Sequence, residues 1–110
     1  MGLTKTEMFS DIHNEIALFA KVLGHPARIA ILEHLFKTNS CICGDFVHEI
    51  GLAQPTISQH LKELKNLGLI KGSIEGTSVC YCIDNDNWTG MKTAMTAFLD
   101  QDLKQKQDCC

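Results

Sequence analysis

Gln54-Pro55-Thr56-Ile57-Ser58-Gln59-His60-Leu61-Lys62-Glu63-Leu64-Lys65-Asn66-Leu67-Gly68 is the stretch that decides the fold. Pro55 suits the first turn of a helix and Gly68 its C-terminal stop. At about 100° per residue, Ile57, Leu61 and Leu64 share one face, and Gln59, Lys62 and Asn66 point the other way. Thr56 and Ser58 flank the start of the helix, with Gln54 just ahead. Short polar side chains at the N-terminal end of a helix with a stiff apolar back can donate to phosphates and read base edges. Gln54, Thr56, Ser58, Gln59, His60 and Lys62 are the candidate DNA contacts. His60 lies at the edge of the buried face, where packing and DNA contact are both open.

Outward from this helix, the spacing predicts a mainly α chain with a small β-hairpin. A first helix runs from about Thr6 to Leu23, where Phe9, Ile12, Ile16, Phe19 and Leu23 draw one apolar stripe. Pro26 opens a second helix through Phe36. A short third helix is predicted over Ile42 to Ile50, with Ile42, Phe46 and Ile50 at i, i+4 and i+8 and Gly51 as its cap. Third and fourth helices around a tight turn have the length of a helix-turn-helix. Leu69–Ile74 and Ser78–Ile83 then read as two strands, a wing. A last helix from about Asn87 to Gln107 carries Trp88, Met91, Met95 and Phe98 on one stripe. The order α-α-α-α-β-β-α is that of a winged helix-turn-helix in one domain over residues 1–110, with 1–5 and 108–110 expected to be flexible. The terminal helices are the expected dimer interface, through Phe9, Ile12, Ile16, Phe19, Trp88, Met91, Met95 and Phe98. Covering their own core is the plainer use of the same faces.

Composition narrows the class. The chain has 110 residues, 45% hydrophobic and 21% charged, which suits one folded domain and argues against disorder. No apolar run reaches the ~18–20 residues of a membrane span, and the N-terminus lacks the apolar core of a secretory signal. The expected location is the cytoplasm, with no membrane partner. The net charge of −3 is unlike the basic footprint usual for nucleic-acid binders. Its distribution answers part of this: residues 53–83 sum to +1 and residues 84–110 to −2. A symmetric pair of chains presents the positive segment twice, and salt-dependent binding is expected.

Six cysteines come as three close pairs, Cys41 with Cys43, Cys80 with Cys82, and Cys109 with Cys110. In reducing cytosol such grouping points to metal or redox chemistry rather than to a disulfide scaffold. Cys80 and Cys82 alternate with Val79, Tyr81 and Ile83, so the strand period turns both away from the apolar side. An enzyme with a cysteine nucleophile and His48 or His60 as base is disfavoured, because Cys43 and His48 point in unlike directions on a helix and the chain leaves little room for a pocket.

Cys41-Ile42-Cys43-Gly44-Asp45-Phe46, Gln54 through Leu64, Gly68-Leu69-Ile70 and His25-Pro26-Ala27-Arg28-Ile29-Ala30-Ile31-Leu32 together resemble the ArsR/SmtB family of bacterial metal-sensing repressors, its arsenic-responsive branch above all. The likeness covers roughly residues 15–90. It implies a homodimeric winged helix that binds operator DNA, an imperfect inverted repeat, when free of metal and leaves it when an inducer ion binds. A zinc-type site along the last helix is disfavoured, since no His follows His60. Soft thiolates select As(III) or Sb(III), with Cd(II), Pb(II) and Cu(I) as alternatives.

The resemblance places the ion at Cys41 and Cys43, at the mouth of the third helix, where a helix N-terminus favours the thiolate. A third sulfur from Cys109 or Cys110 on the tail would complete a trigonal site, with Cys80 and Cys82 in reserve. Drawing the thiols inward would distort the third helix and tilt the reading helix off the groove. The nearest rival keeps the DNA binding and replaces the ion by thiol oxidation or reaction with a persulfide. A winged helix that binds protein rather than DNA is the other alternative.

Overall fold

The computed structural model describes residues 7–38, 41–44, 46–75 and 78–103, and of residues 43, 74, 75 and 78 the backbone alone. Among the described residues, five helices and three strands follow one another as α1 (Asp11–Leu23), α2 (Pro26–Lys37), β1 (Ile42–Cys43), α3 (Phe46–Ile50), α4 (Gln54–Leu67), β2 (Ile70–Glu75), β3 (Ser78–Ile83) and α5 (Asn85–Leu99). The strands form one antiparallel sheet in the order β1-β3-β2. No described helix is long and apolar enough to cross a membrane.

Local chemistry sets the helix ends. The Ser10 hydroxyl accepts the His13 N–H at 3.2 Å and starts α1 at Asp11, later than the apolar stripe alone predicts. Pro26 occupies the first turn of α2, where a missing N–H costs nothing. Asp84 accepts the Asn87 N–H and begins α5 at Asn85. That helix ends at Leu99, well before the predicted Gln107, and Gln101 Nε2 caps the Phe98 carbonyl at 2.8 Å. α4 closes in a Schellman turn, in which Leu69 N–H donates to the Leu64 carbonyl and Gly68 N–H to that of Lys65. Gly68 takes φ +88°, a left-handed value that side chains resist. Asn87 Nδ2 then donates to the Gly68 carbonyl at 3.0 Å, fastening the end of α4 to the first turn of α5.

The core gathers Phe19 and Val22 from α1, Ile31, Leu32 and Leu35 from α2, Phe46 from α3, and Ile57, Leu61 and Leu64 from α4. Ile42, Leu69, Ile70 and Ile83 close it from the sheet side. α1 packs on α2, α4 and α5, while α4 also packs on β2. α5 buries no residue completely; Trp88, Met91 and Met95 lie half-buried against the core.

Three expectations are corrected here. The third helix does not begin at Ile42: Ile42–Cys43 is a strand, and the helix covers only Phe46–Ile50. Ile42 and Phe46 both reach the core, so the helical spacing was sound while the element was not. Phe19 is not a free interface residue, being buried with its ring edge-on to Trp88 at 5.8 Å. Cys80 does not face away from the core but is 1% exposed, while Val79 beside it on β3 is 43% exposed, the reverse of the predicted alternation.

Candidate nucleic-acid interface

α4 is held by its apolar back. Ile57 and Leu64 are fully buried and Leu61 nearly so, while Gln54, Thr56, Ser58, Gln59 and Lys62 are all exposed along the other side. Two intrahelical bonds order this front: Gln54 Nε2 donates to the Ser58 hydroxyl at 2.9 Å, and Gln59 Nε2 to Glu63 Oε1 at 3.1 Å. Amide groups pre-set in this way keep free donor and acceptor capacity for base edges.

His60 differs from the other five. It is half-buried, and its Nδ1 accepts from Arg28 Nε at 3.0 Å, while its ring lies 5.6 Å from that of His25. Burial lowers its pKa below the ordinary histidine value, and the neighbouring charges of Arg28 and His25 lower it further. Arg28 also donates through NH1 to the Val22 carbonyl at 3.2 Å, so it bridges the end of α1 and the middle of α4. Sequence reasoning did not single out Arg28 as a buttress. Its position two residues after Pro26 in the helix start was the available signal.

Exposed apolar side chains collect on the terminal helices and the residues beside them. Phe9, Ile12, Leu18, Phe98 and Leu99 are exposed, and Ile16, Trp88, Met91 and Met95 half-covered. Trp88 meets its own chain on two sides, through Phe19 and through Phe36 at 4.9 Å.

The thiols are arranged by the sheet rather than by a helix mouth. β1 pairs with β3 so that Ile42 faces Tyr81 and Cys43 faces Cys80 along the backbone. Cys80 is disulfide-bonded, whereas Cys41 and Cys82 are free. Hydrogen bonding to Cys41 raises the Cys82 pKa above its ordinary value, and burial raises it further. Among the described residues, no three of His, Cys, Asp and Glu converge as a metal site. Cys109 and Cys110 lie outside the described residues. The signal for the cross-strand arrangement was present in the repeated Cys-x-Cys, since equal spacing on two antiparallel strands puts the cysteines rung against rung.

Residues 25–71, from the start of α2 into β2, match the model of the bacterial regulatory protein, arsR family. An uncharacterised HTH-type transcriptional regulator of Methanocaldococcus jannaschii is 39% identical over 75 residues, covering 67% of this chain and 83% of that protein. The arsenical resistance operon repressor of Staphylococcus xylosus is 30% identical over 74 residues, covering 67% and 70%. Among solved structures, Rv0081 of Mycobacterium tuberculosis superposes with a TM-score of 0.63 at 28% identity, covering 84% of this chain and 93% of that one. On these likenesses the chain belongs to the arsR family of bacterial regulatory proteins, as a winged-helix transcriptional regulator that binds DNA.

Proposed function

We propose that this chain is a homodimeric repressor that holds an imperfect inverted repeat of operator DNA and releases it when a thiophilic metal(loid) binds its cysteine thiolates. The observation that carries the DNA part is the split of α4 into a buried apolar back and an exposed front of Gln54, Thr56, Ser58, Gln59 and Lys62. His60 serves this reading as a strut from inside the fold, through its bond to Arg28. The half-covered faces of α1 and α5 are the surfaces that a second copy would bury, with Phe9, Ile12, Ile16, Trp88, Met91, Met95 and Phe98 at the contact.

As(III) or Sb(III) is the inducer this reading favours, ahead of Cd(II) and Pb(II), because a relative is named for arsenical resistance and sulfur suits soft, thiophilic acceptors. Cys41 and Cys43 supply the first sulfurs, with Cys109 and Cys110 as tail donors. The start of the ion segment lies in β1 instead of a helix mouth, so the movement that releases DNA would begin in the strand and pass through α3, which packs on α4.

A second reading, release by thiol oxidation, is favoured by one observation: Cys80 is already in a disulfide. Fluorescence anisotropy with an inverted-repeat duplex at two salt concentrations tests DNA binding, and binding that ignores salt would refute it. Arsenite under strict reduction, followed by oxidant without metal, then separates the inducers. Release by arsenite alone supports the first reading and release by oxidant alone the second.

A further inference from the structure

We propose that Cys41, just ahead of β1, and Cys82, on β3, form a two-sulfur site for a trivalent arsenical. This rests on the reading of the chain as an arsenical-responsive regulator, and it replaces the sequence-adjacent pair Cys41/Cys43 by a cross-strand one.

Three observations meet here. The register sets Ile42 against Tyr81 and Cys43 against Cys80, and one further step along it brings Cys41, the residue before β1, opposite Cys82. Their thiols are hydrogen-bonded to each other, and both are free. They share a polar cleft of about 390 Å³ whose wall also includes Thr38, Lys71 and Asn85. Cys41 is exposed and Cys82 half-buried, so a solute reaches the first thiol and finds the second behind it.

Distance decides between the two pairs. Residues i and i+2 on one strand are about 6.5–7 Å apart along the chain, whereas directly opposed residues of an antiparallel pair are about 4.5–5.5 Å apart between Cα atoms. A single arsenic atom holding two sulfurs fits the shorter span. Cys80, bound in its disulfide, offers no thiolate in this state.

The chemistry needs no electron transfer. Phenylarsonous acid carries two hydroxyls on As(III). Each thiol proton leaves with one hydroxyl as water, two As–S bonds replace two As–O bonds, and arsenic stays trivalent. With arsenous acid the third hydroxyl remains, open to a further sulfur. Either product clamps the approach to β1 onto β3, the strand shared by the whole sheet.

The test uses the full chain, handled without added reductant so that the Cys80 disulfide stays closed, with Cys109→Ser and Cys110→Ser as background so that the tail captures nothing. Phenylarsonous acid is titrated directly, with bound arsenic measured by equilibrium dialysis. Losing one of two tethered sulfurs removes the effective-concentration advantage, so Cys41→Ser and Cys82→Ser should each weaken binding by about 100-fold. Digestion of the background protein's adduct should give a phenylarsenic-bridged pair of peptides, one containing Cys41 and the other Cys82. That second measurement does not depend on any variant folding. A Cys82→Ser protein that binds as tightly as the background, or a bridge that omits Cys82, overturns the proposal. A Cys41–Cys82 bridge with operator DNA still bound leaves the site standing and refutes the release mechanism above.

Discussion

Arg28 Nε donates to His60 Nδ1 across 3.0 Å, and the same guanidinium reaches the Val22 carbonyl at 3.2 Å. One side chain thus sets the angle of α4 relative to α1 and α2 without touching its outer face. Arg28→Ala should cost about 1.5–3 kcal/mol of stability, the range for hydrogen bonds from a charged donor. Operator affinity should fall with it. Arg28→Lys should not restore either, since an ammonium cannot serve both acceptors with a planar fork. Chemical denaturation and anisotropy on the same variants check this.

His60 makes the fold sensitive to acid. Its folded pKa lies below the ordinary histidine value because burial, Arg28 and His25 all disfavour the imidazolium. The unfolded chain therefore binds the proton more readily, and stability rises with pH across this window. The contribution is fully present above about 6.5 and is lost as pH falls through the unfolded pKa toward the lower folded one. The urea midpoint of the native chain should drop between neutral pH and pH values below 6.5 by more than that of His60→Gln. Equal drops would dismiss His60 as the cause.

Gln59 and Lys62 should separate cleanly in a DNA-binding assay. Lys62→Ala removes one phosphate contact, so affinity falls for every sequence and the slope of log K against log salt loses about 1. Gln59→Ala removes an amide able to pair with adenine, at a cost of about 1–3 kcal/mol of discrimination, with the salt slope unchanged. Titrations of matched and mismatched operators at several salt concentrations give both quantities.

The apolar back of α4 should carry stability alone. Ile57 is completely buried, and Ile57→Ala should lower unfolding free energy by about 2–5 kcal/mol. Ser58→Ala, one residue along on the exposed face, should stay within about 0.5 kcal/mol. Thermal melts of the two variants make the comparison.

The reading helix was legible in the sequence because Ile57, Leu61 and Leu64 at one side and Gly68 at the end all point to the same element. The wing was legible for the same reason: both strands alternate, and their register pairs Ile70 with Ile83 and Glu75 with Ser78. β1 was not, because two residues are too few to show a period, and Ile42 happened to stand four residues before Phe46. Cys80 was misread because the apolar character of Val79 does not mark the covered side of β3: Val79 is the exposed neighbour and Cys80 the buried one. The Cys41–Cys82 contact and the Arg28–His60 bond span 41 and 32 positions. Periodicity is a local property and says nothing about partners that far away.

The bond from Asn87 to the Gly68 carbonyl joins the trailing end of α4 directly to α5, whose far end exposes Phe98 and Leu99. A force applied to α5 crosses that short tether, and the Asp84 N–H bond to the Leu69 carbonyl beside it, before it pulls on the helix proposed to read DNA. Whatever seats against the C-terminal helix therefore holds a handle on the whole reading head, and can turn it without approaching the duplex.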